Sequence, residues 1–428
     1  MSIEQSILQK IIVDRIEIVK RVSLVERDIN IEDKMPVVLT GIRRSGKSYL
    51  LYQIMYKLIE QGHTWNEFLY INFEDERLIG FDVSDFNTLL DVFHYLSDKE
   101  PILFLDEIQN IQGWEKFARR IADEKRMIYI TGSNASVLNK DIESTLGGRY
   151  LVKRVCPYDF IEFLRAKAFQ WNRRSLSSSK EQGQLLNLFD EYMKYGGFPE
   201  VLNLINKRDY LSSIYSKIFL GDVIARYLVG NVKALEVLMK KIAESIRQPI
   251  SYSRLTNVVK SIGITVSKTT IIQYIDYLKD AYLIYHIDNY SSKIVDRTTN
   301  PKYYFIDTGL VNLFLFESDP ALLENLVASE LVRKYGNENI YFYQDNNLEI
   351  DFYIPEQSIA IQVCYSMRDS DTRTREIETL KRFNQFKSMK NNIILSYNHK
   401  EETIVDEGIE IRVIPVYRWL LENSEYID

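Results

Sequence analysis

The segment Gly41-Ile42-Arg43-Arg44-Ser45-Gly46-Lys47-Ser48 restricts what this chain can fold into more than any other. Glycine, four free positions and then Gly-Lys-Ser form the phosphate-loop pattern. The surroundings suit it. The apolar run Met35-Pro36-Val37-Val38-Leu39-Thr40 reads as a buried strand before the loop. Tyr49 to Ile59 carries apolar residues at helical spacing after it. Glycines let the backbone curl so that its N–H groups face an anion, and the helix N-terminus adds a favourable dipole. The expected phosphate contacts are Gly41, Arg43, Arg44, Ser45, Gly46, Lys47, Ser48 and Tyr49. Lys47 is placed to reach the β- and γ-phosphates, and the Ser48 hydroxyl to ligate Mg²⁺.

A chain of 428 residues is too long for one core, so several domains are expected. Its apolar content of 46% marks it as globular rather than disordered. A net charge of −6 argues against a uniformly basic nucleic-acid coat and leaves room for a local basic patch. The two cysteines, Cys156 and Cys364, lie far apart, and the four histidines are scattered. Neither a zinc spacing nor a disulfide framework is suggested. No apolar run has the length of a signal peptide or a membrane span, so a cytoplasmic protein with no membrane partner is expected.

Residues 1–30 set Ile7, Leu8, Ile11, Ile12, Ile16 and Ile18 among charges and read as a helical arm on the first domain. Residues 31–165 alternate strands and helices, as in a parallel sheet covered on both faces. Phe68 to Phe73 is one strand, with Glu74-Asp75-Glu76 at its carboxyl end. Pro101-Ile102-Leu103-Phe104-Leu105-Asp106-Glu107 is another, in the Walker B pattern, expected beside the phosphate-loop strand. Asp106 at its tip suits Mg²⁺, and Glu107 is placed to deprotonate the attacking water. The third strand, Met127 to Thr131, ends in Gly132-Ser133-Asn134. Ser133 or Asn134 is expected to sense the γ-phosphate, with a plain strand-ending turn as the alternative. Arg149, after Gly147-Gly148, reads either as an arginine finger, in cis or in trans, or as a surface residue. No Asn-Lys-X-Asp guanine reader follows the third strand, so ATP is the expected nucleotide.

Gly-Ile-Arg-Arg-Ser-Gly-Lys-Ser, Phe-Leu-Asp-Glu-Ile-Gln, Ile-Thr-Gly-Ser-Asn-Ala and Gly-Gly-Arg, in this order, resemble the prokaryotic AAA-type ATPases with a conserved C-terminal domain of unknown function. Cys156 to Leu164 and Tyr195-Gly196-Gly197-Phe198-Pro199-Glu200 match segments that follow the ATPase core there. The resemblance implies an AAA-like P-loop sheet, a helical extension, a winged helix and a restriction-endonuclease-like α/β end.

Residues 166–235 read as a helical extension, with Gly196-Gly197 as a structural turn. Residues 236–310 suit a winged helix-turn-helix. Its helices are expected at Leu238–Ile246, Tyr252–Ile262 and Thr269–Ala281, with Ser251 as a cap. The third helix offers Lys268, Thr269, Thr270, Gln273 and Lys279 but also Asp276 and Asp280, so duplex DNA and an unidentified protein are both open as partners. Residues 311–428 repeat an α/β pattern whose order resembles the PD-(D/E)XK nuclease fold. The resemblance implies Glu330 as the helix acid and Asp351 as the strand acid. Gln362-Val363-Cys364 stands where Glu-X-Lys is required, with Glu349 as a remaining carboxylate and no lysine in view, so a silent domain is expected. The expected activity is Mg²⁺-dependent ATP hydrolysis as a nucleotide-driven switch, with an oligomer implied if Arg149 acts in trans.

Overall fold

Val37-Val38-Leu39 is apolar on every side, which suits a strand buried on both faces. It forms the heart of β1 (Val37–Thr40), inside a five-stranded sheet. The computed structural model describes residues 3–29, 35–133, 147–172, 178–290, 299–316, 318–345 and 348–422. The chain divides into two compact units, residues 1–156 with 280–282, and residues 157–279 with 283–428.

The first unit runs α1 (Gln5–Val19), β1, α2 (Lys47–Glu60), β2 (Phe68–Asn72), α3 (Asp85–Leu96), β3 (Ile102–Asp106), α4 (Trp114–Asp123), β4 (Ile128–Gly132) and β5 (Leu151–Arg154). The strand order is β2-β3-β4-β1-β5, and every pair is parallel. The expected neighbourhood of β3 and β1 is thereby corrected, because β4 lies between them. From β1 the chain crosses through α2 to the far edge and then fills inward through β3, so the last gap falls to β4. Successive residues of β3 face opposite layers. Leu103 and Leu105 join Phe86, Trp114 and Phe117 in one core. Ile102 and Phe104 join Leu50, Leu51 and Ile54 of α2 in the other. The expected arm is α1, which packs on α3 and on edge strand β2. Arg15 fixes it there through Asp75 at 2.7 Å.

The second unit begins with α5 (Phe160–Ala166), α6 (Ser179–Tyr195), α7 (Lys207–Lys217), a π-helical stretch (Ile218–Ala225), α8 (Val232–Glu244), α9 (Tyr252–Ser261) and α10 (Lys268–Asp280). It continues with β6 (Ile284–Asn289), β7 (Lys302–Phe305), α11 (Thr308–Val311), α12 (Asp319–Tyr335), β8 (Tyr341–Asp345), β9 (Leu348–Ile354) and β10 (Ile359–Cys364). It closes with α13 (Ser370–Phe386), β11 (Asn391–Ser396), β12 (Glu402–Asp406), β13 (Ile409–Pro415) and α14 (Val416–Glu422). Its mixed sheet has the order β12-β13-β11-β10-β9-β8-β6-β7. β6 and β7 therefore belong to the same sheet as the later strands, β6 pairing with β8 in parallel. Phe160 and Phe163 of α5 pack on Phe189 and Tyr192 of α6 within the second unit.

Gly196-Gly197 forms a closely packed turn. The Gly197 N–H donates to Asp307 at 2.8 Å, and the Tyr158 N–H donates to the Gly197 carbonyl at 2.8 Å. The Gly309 N–H also donates to Asp307, at 2.9 Å. Burial pushes the Asp307 carboxyl up from 3.8 to about 6, against the pull of these amides. A carboxyl raised in the folded state adds stability that is full below its unfolded value and is lost as pH rises through the folded one. Wild type should therefore lose stability relative to Asp307→Asn as pH rises from 3.8 to about 6. Urea unfolding of both proteins across that range checks it, and parallel curves contradict it.

Candidate nucleotide site

The loop after β1 takes a shape that few residues besides glycine allow. Gly41 has φ +148°, and a Cβ there would stand 2.1 Å from the Val155 carbonyl oxygen. Gly46 has φ +93° and caps the N-terminus of α2. Arg44 holds a left-handed φ of 65°, a mild strain placed inside the loop. The Lys47 ammonium is buried and donates to the carbonyls of Gly41 and Ile42, both at 3.1 Å. Arg43 pairs with Glu74 beyond the end of β2. Tyr49 is exposed, its ring centroid 5.4 Å from that of Tyr52.

The two acids at the end of β3 sit in different surroundings. Asp106 is wholly buried. It accepts from Thr131 Oγ1, from the Tyr70 hydroxyl at 2.9 Å, from Asn72 Nδ2 at 3.3 Å, and from Ser48. Burial and the charge of Glu107 push its carboxyl up, and those hydrogen bonds oppose the rise. Burial acts on Glu107 in the same sense, but Lys47, Gln109, Arg43 and Ser133 outweigh it and hold that carboxyl below its ordinary value. Lys47 Nζ lies 3.8 Å from Glu107 Oε1. Gln109 Nε2 donates to Glu107 and reaches Ser133 Oγ at 3.3 Å. Glu107 turns through φ 53°, and its N–H donates to Thr131 Oγ1 at 2.9 Å.

Lys47, Ser48, Asp106, Glu107 and Ser133 are thus brought together at the carboxyl edge of one parallel sheet, where α/β ligands gather. Asn134 lies outside the described residues. Arg149 goes elsewhere. It pairs with Asp123 at the end of α4, at 2.6 Å. It also precedes β5, whose first residue pairs with Val37, the first of β1. That is the amino edge of the sheet, opposite the phosphate loop. Sequence reasoning missed Thr131, Tyr70 and Gln109. The threonine inside a buried strand was the available signal, since a buried hydroxyl needs a partner.

A nucleotide with its cation fits this donor set. Ser48 and Asp106 are hard oxygen donors in mutual contact. The Ser45 hydroxyl is fully buried and has no partner among the described residues. A phosphate oxygen would satisfy it.

In the second unit, the acid on α12 is corrected. Glu330 is engaged by Arg333, at 3.6 Å, and is influenced by Asp159 and Glu162. Glu324 is the residue near Asp351, because positions six apart on a helix differ by about 120° around its axis. A lysine from outside the expected motif reaches these acids. Lys302 of β7 is wholly buried, with Nζ 3.0 Å from Glu349, 3.3 Å from Asp351 and 3.5 Å from Glu324. Burial opposes its charge, but the carboxylates outweigh burial and hold it ionised. Gln362 is a structural bridge, accepting from the Asp351 N–H at 2.9 Å and donating to Glu376 at 3.0 Å. Cys364 is buried beside the Ser366 carbonyl. Glu324, Glu349, Asp351, Gln362 and Glu376 border a cleft of about 910 Å³ that Arg247, Arg375 and Arg382 also line. Among the described residues no group of three or more His, Cys, Asp or Glu is arranged to hold a metal ion. No described helix is long and apolar enough to cross a membrane.

Three family models match successive stretches of the chain. A family model described as an AAA domain matches residues 33–164. Two domains of unknown function, DUF8612 and DUF4143, match residues 186–320 and 320–419. The chain is 31% identical over 395 residues to an uncharacterized protein of Haemophilus influenzae, covering 90% of this chain and 94% of that one. It is 35% identical over 441 residues to the uncharacterized protein MJ1544 of Methanocaldococcus jannaschii, covering 98% and 96%. Among solved structures, the Walker-type ATPase of Pyrococcus abyssi aligns at 12% identity and a TM-score of 0.41, over 73% of this chain and 95% of that one. Cdc6p of Pyrobaculum aerophilum aligns at 18% identity and a TM-score of 0.26, over 69% and 88%. The chain belongs to the family of MJ1544 and carries an AAA domain followed by two domains of unknown function.

Proposed function

We propose that this protein is a Mg²⁺-dependent ATPase that works as a nucleotide-driven switch on a partner. The observation that carries the reading is the meeting of Lys47, Ser48, Asp106 and Glu107 at one sheet edge. Lys47 would leave its loop carbonyls for the β- and γ-phosphates, and Ser45 and the loop amides would hold the same anion. Ser48 and Asp106 would hold Mg²⁺, which when bound neutralises phosphate charge. Glu107 would take a proton from the attacking water as the bond from the γ-phosphorus to the bridging oxygen breaks, releasing ADP and phosphate. Ser133 supports Glu107, and with Asn134 it is read as the γ-phosphate sensor. Arg149 would act only across copies, which implies an oligomer. The site is read as serving a cytoplasmic enzyme, whose free Cys156 and Cys364 suit a reducing setting.

The partner is read as duplex DNA, with a protein as the alternative. In support, α8, α9 and α10 with strands β6 and β7 follow the winged-helix order, and the Ser251 hydroxyl caps α9 by accepting from the Arg254 N–H at 3.2 Å. Lys268, Thr269 and Gln273 are exposed on α10, while Lys279 is paired with Asp276 at 3.3 Å. The second unit's end is read as nuclease-like in fold and silent. Steady-state ATP hydrolysis with and without duplex DNA at low salt tests the partner. Stimulation that fades steeply as salt is added is the expected result. Turnover indifferent to DNA would move the reading to a protein partner.

A further inference from the structure

Arg27 precedes the residues matched by the AAA family model. The sequence pattern gives it no role, yet its side chain is buried, with 4% of the residue exposed. Its guanidinium donates to main-chain carbonyls. Nη1 donates to the Ser45 carbonyl at 2.8 Å, and Nη2 donates to the Cys156 carbonyl at 2.9 Å. Its own backbone is clasped by Gln53 of α2. The Arg27 N–H donates to Gln53 Oε1 at 2.9 Å, and Gln53 Nε2 donates to the Arg27 carbonyl at 2.9 Å. One residue thus joins the phosphate loop, the helix that follows it, and the segment leaving β5.

The chosen carbonyl matters. In a planar trans peptide the C=O of one residue and the N–H of the next point in opposite directions. Fixing the Ser45 carbonyl on Arg27 therefore fixes the Gly46 N–H in the opposite direction, away from Arg27. A charged donor on the carbonyl also polarises the peptide and strengthens that N–H as a donor. The rest of the loop is fixed from the same segment. The Val155 carbonyl presses on Gly41, and the Val155 N–H donates to the Thr40 carbonyl at 2.6 Å. Cys156, the next residue, is the second carbonyl that Arg27 holds.

We infer that Arg27 is a positioning residue for nucleotide binding. It holds the Ser45–Gly46 peptide in the orientation that receives a phosphate oxygen, and so makes the N-terminal arm part of the site. The inference rests on the nucleotide-binding reading. It is tested on the full-length protein with Arg27→Met, Arg27→Lys and Lys47→Ala, measuring Mg²⁺–ATP affinity by calorimetry and thermal stability in parallel. Arg27→Met should weaken ATP binding by about tenfold, the worth of one charge-assisted hydrogen bond. Arg27→Lys cannot span both carbonyls and should lose about threefold. A purely structural arginine would lower the unfolding midpoint and leave the affinity of the folded protein unchanged. Wild-type affinity in Arg27→Met, or in Arg27→Lys if the methionine variant does not fold, overturns the inference. If wild type itself binds no ATP, the nucleotide reading falls instead. If wild type binds, Lys47→Ala does not, and the Arg27 variants bind as wild type, only the role of Arg27 falls.

Discussion

Glu107→Gln should cut ATP turnover by about 100- to 10,000-fold, the usual worth of a positioned general base, while ATP affinity stays near that of wild type. The split follows from what each group touches. Glu107 is held by Gln109, Ser133 and the field of Lys47, and is kept ionised below its ordinary value. An ionised carboxylate can accept the proton of an attacking water, and an amide cannot. The isosteric change keeps the volume and one acceptor. Single-turnover and steady-state hydrolysis, with affinity measured separately, read both halves of the prediction. Wild-type turnover in the variant would remove Glu107 as the base.

Lys302→Met should destabilise the second unit by about 3–5 kcal/mol, the cost of stripping one partner from a buried ionic cluster. Lys302 is the cation on which Glu349, Asp351 and Glu324 converge. Arg247 approaches Glu324 to 3.5 Å but is half exposed, so it compensates weakly. Burial already pushes the Glu324 carboxyl up to about 7, and loss of the ammonium would raise it further. The variant should therefore lose more stability than wild type as pH rises from 4.5 through about 7. Adding Glu324→Gln should restore part of the loss by removing a buried unpaired charge. Guanidinium unfolding of the three proteins decides it. A Lys302→Met protein as stable as wild type would mean that the cluster is satisfied without its lysine.

The parts of this protein legible in its sequence are those encoded by neighbouring residues. Gly41 to Ser48 must make a loop, and four apolar residues before Asp106 must make a buried strand, so strand, loop and tip were placed from local pattern. What was not legible depends on residues far apart in the chain. Nothing local says that β4 enters between β1 and β3, and with that insertion Thr131 becomes the shared partner of Asp106 and Glu107. The motif order points to Glu330 as the helix acid, whereas helix phase puts Glu324 near the cluster. Position 364 carries no charge, and the cation beside Asp351 is Lys302 on β7, far from it in sequence. Buried charge obeys a requirement for compensation and not for sequence order, so a motif with a missing cation should prompt a search of neighbouring strands.

The most direct test of the central claim is equilibrium binding of Mg²⁺–ATP to wild type and to Lys47→Ala. The loop geometry predicts saturable one-to-one binding by wild type that is lost or severely weakened in Lys47→Ala, whose fold should persist. Equal affinity in the two proteins, or no binding by folded wild type, would contradict a nucleotide site built on Lys47.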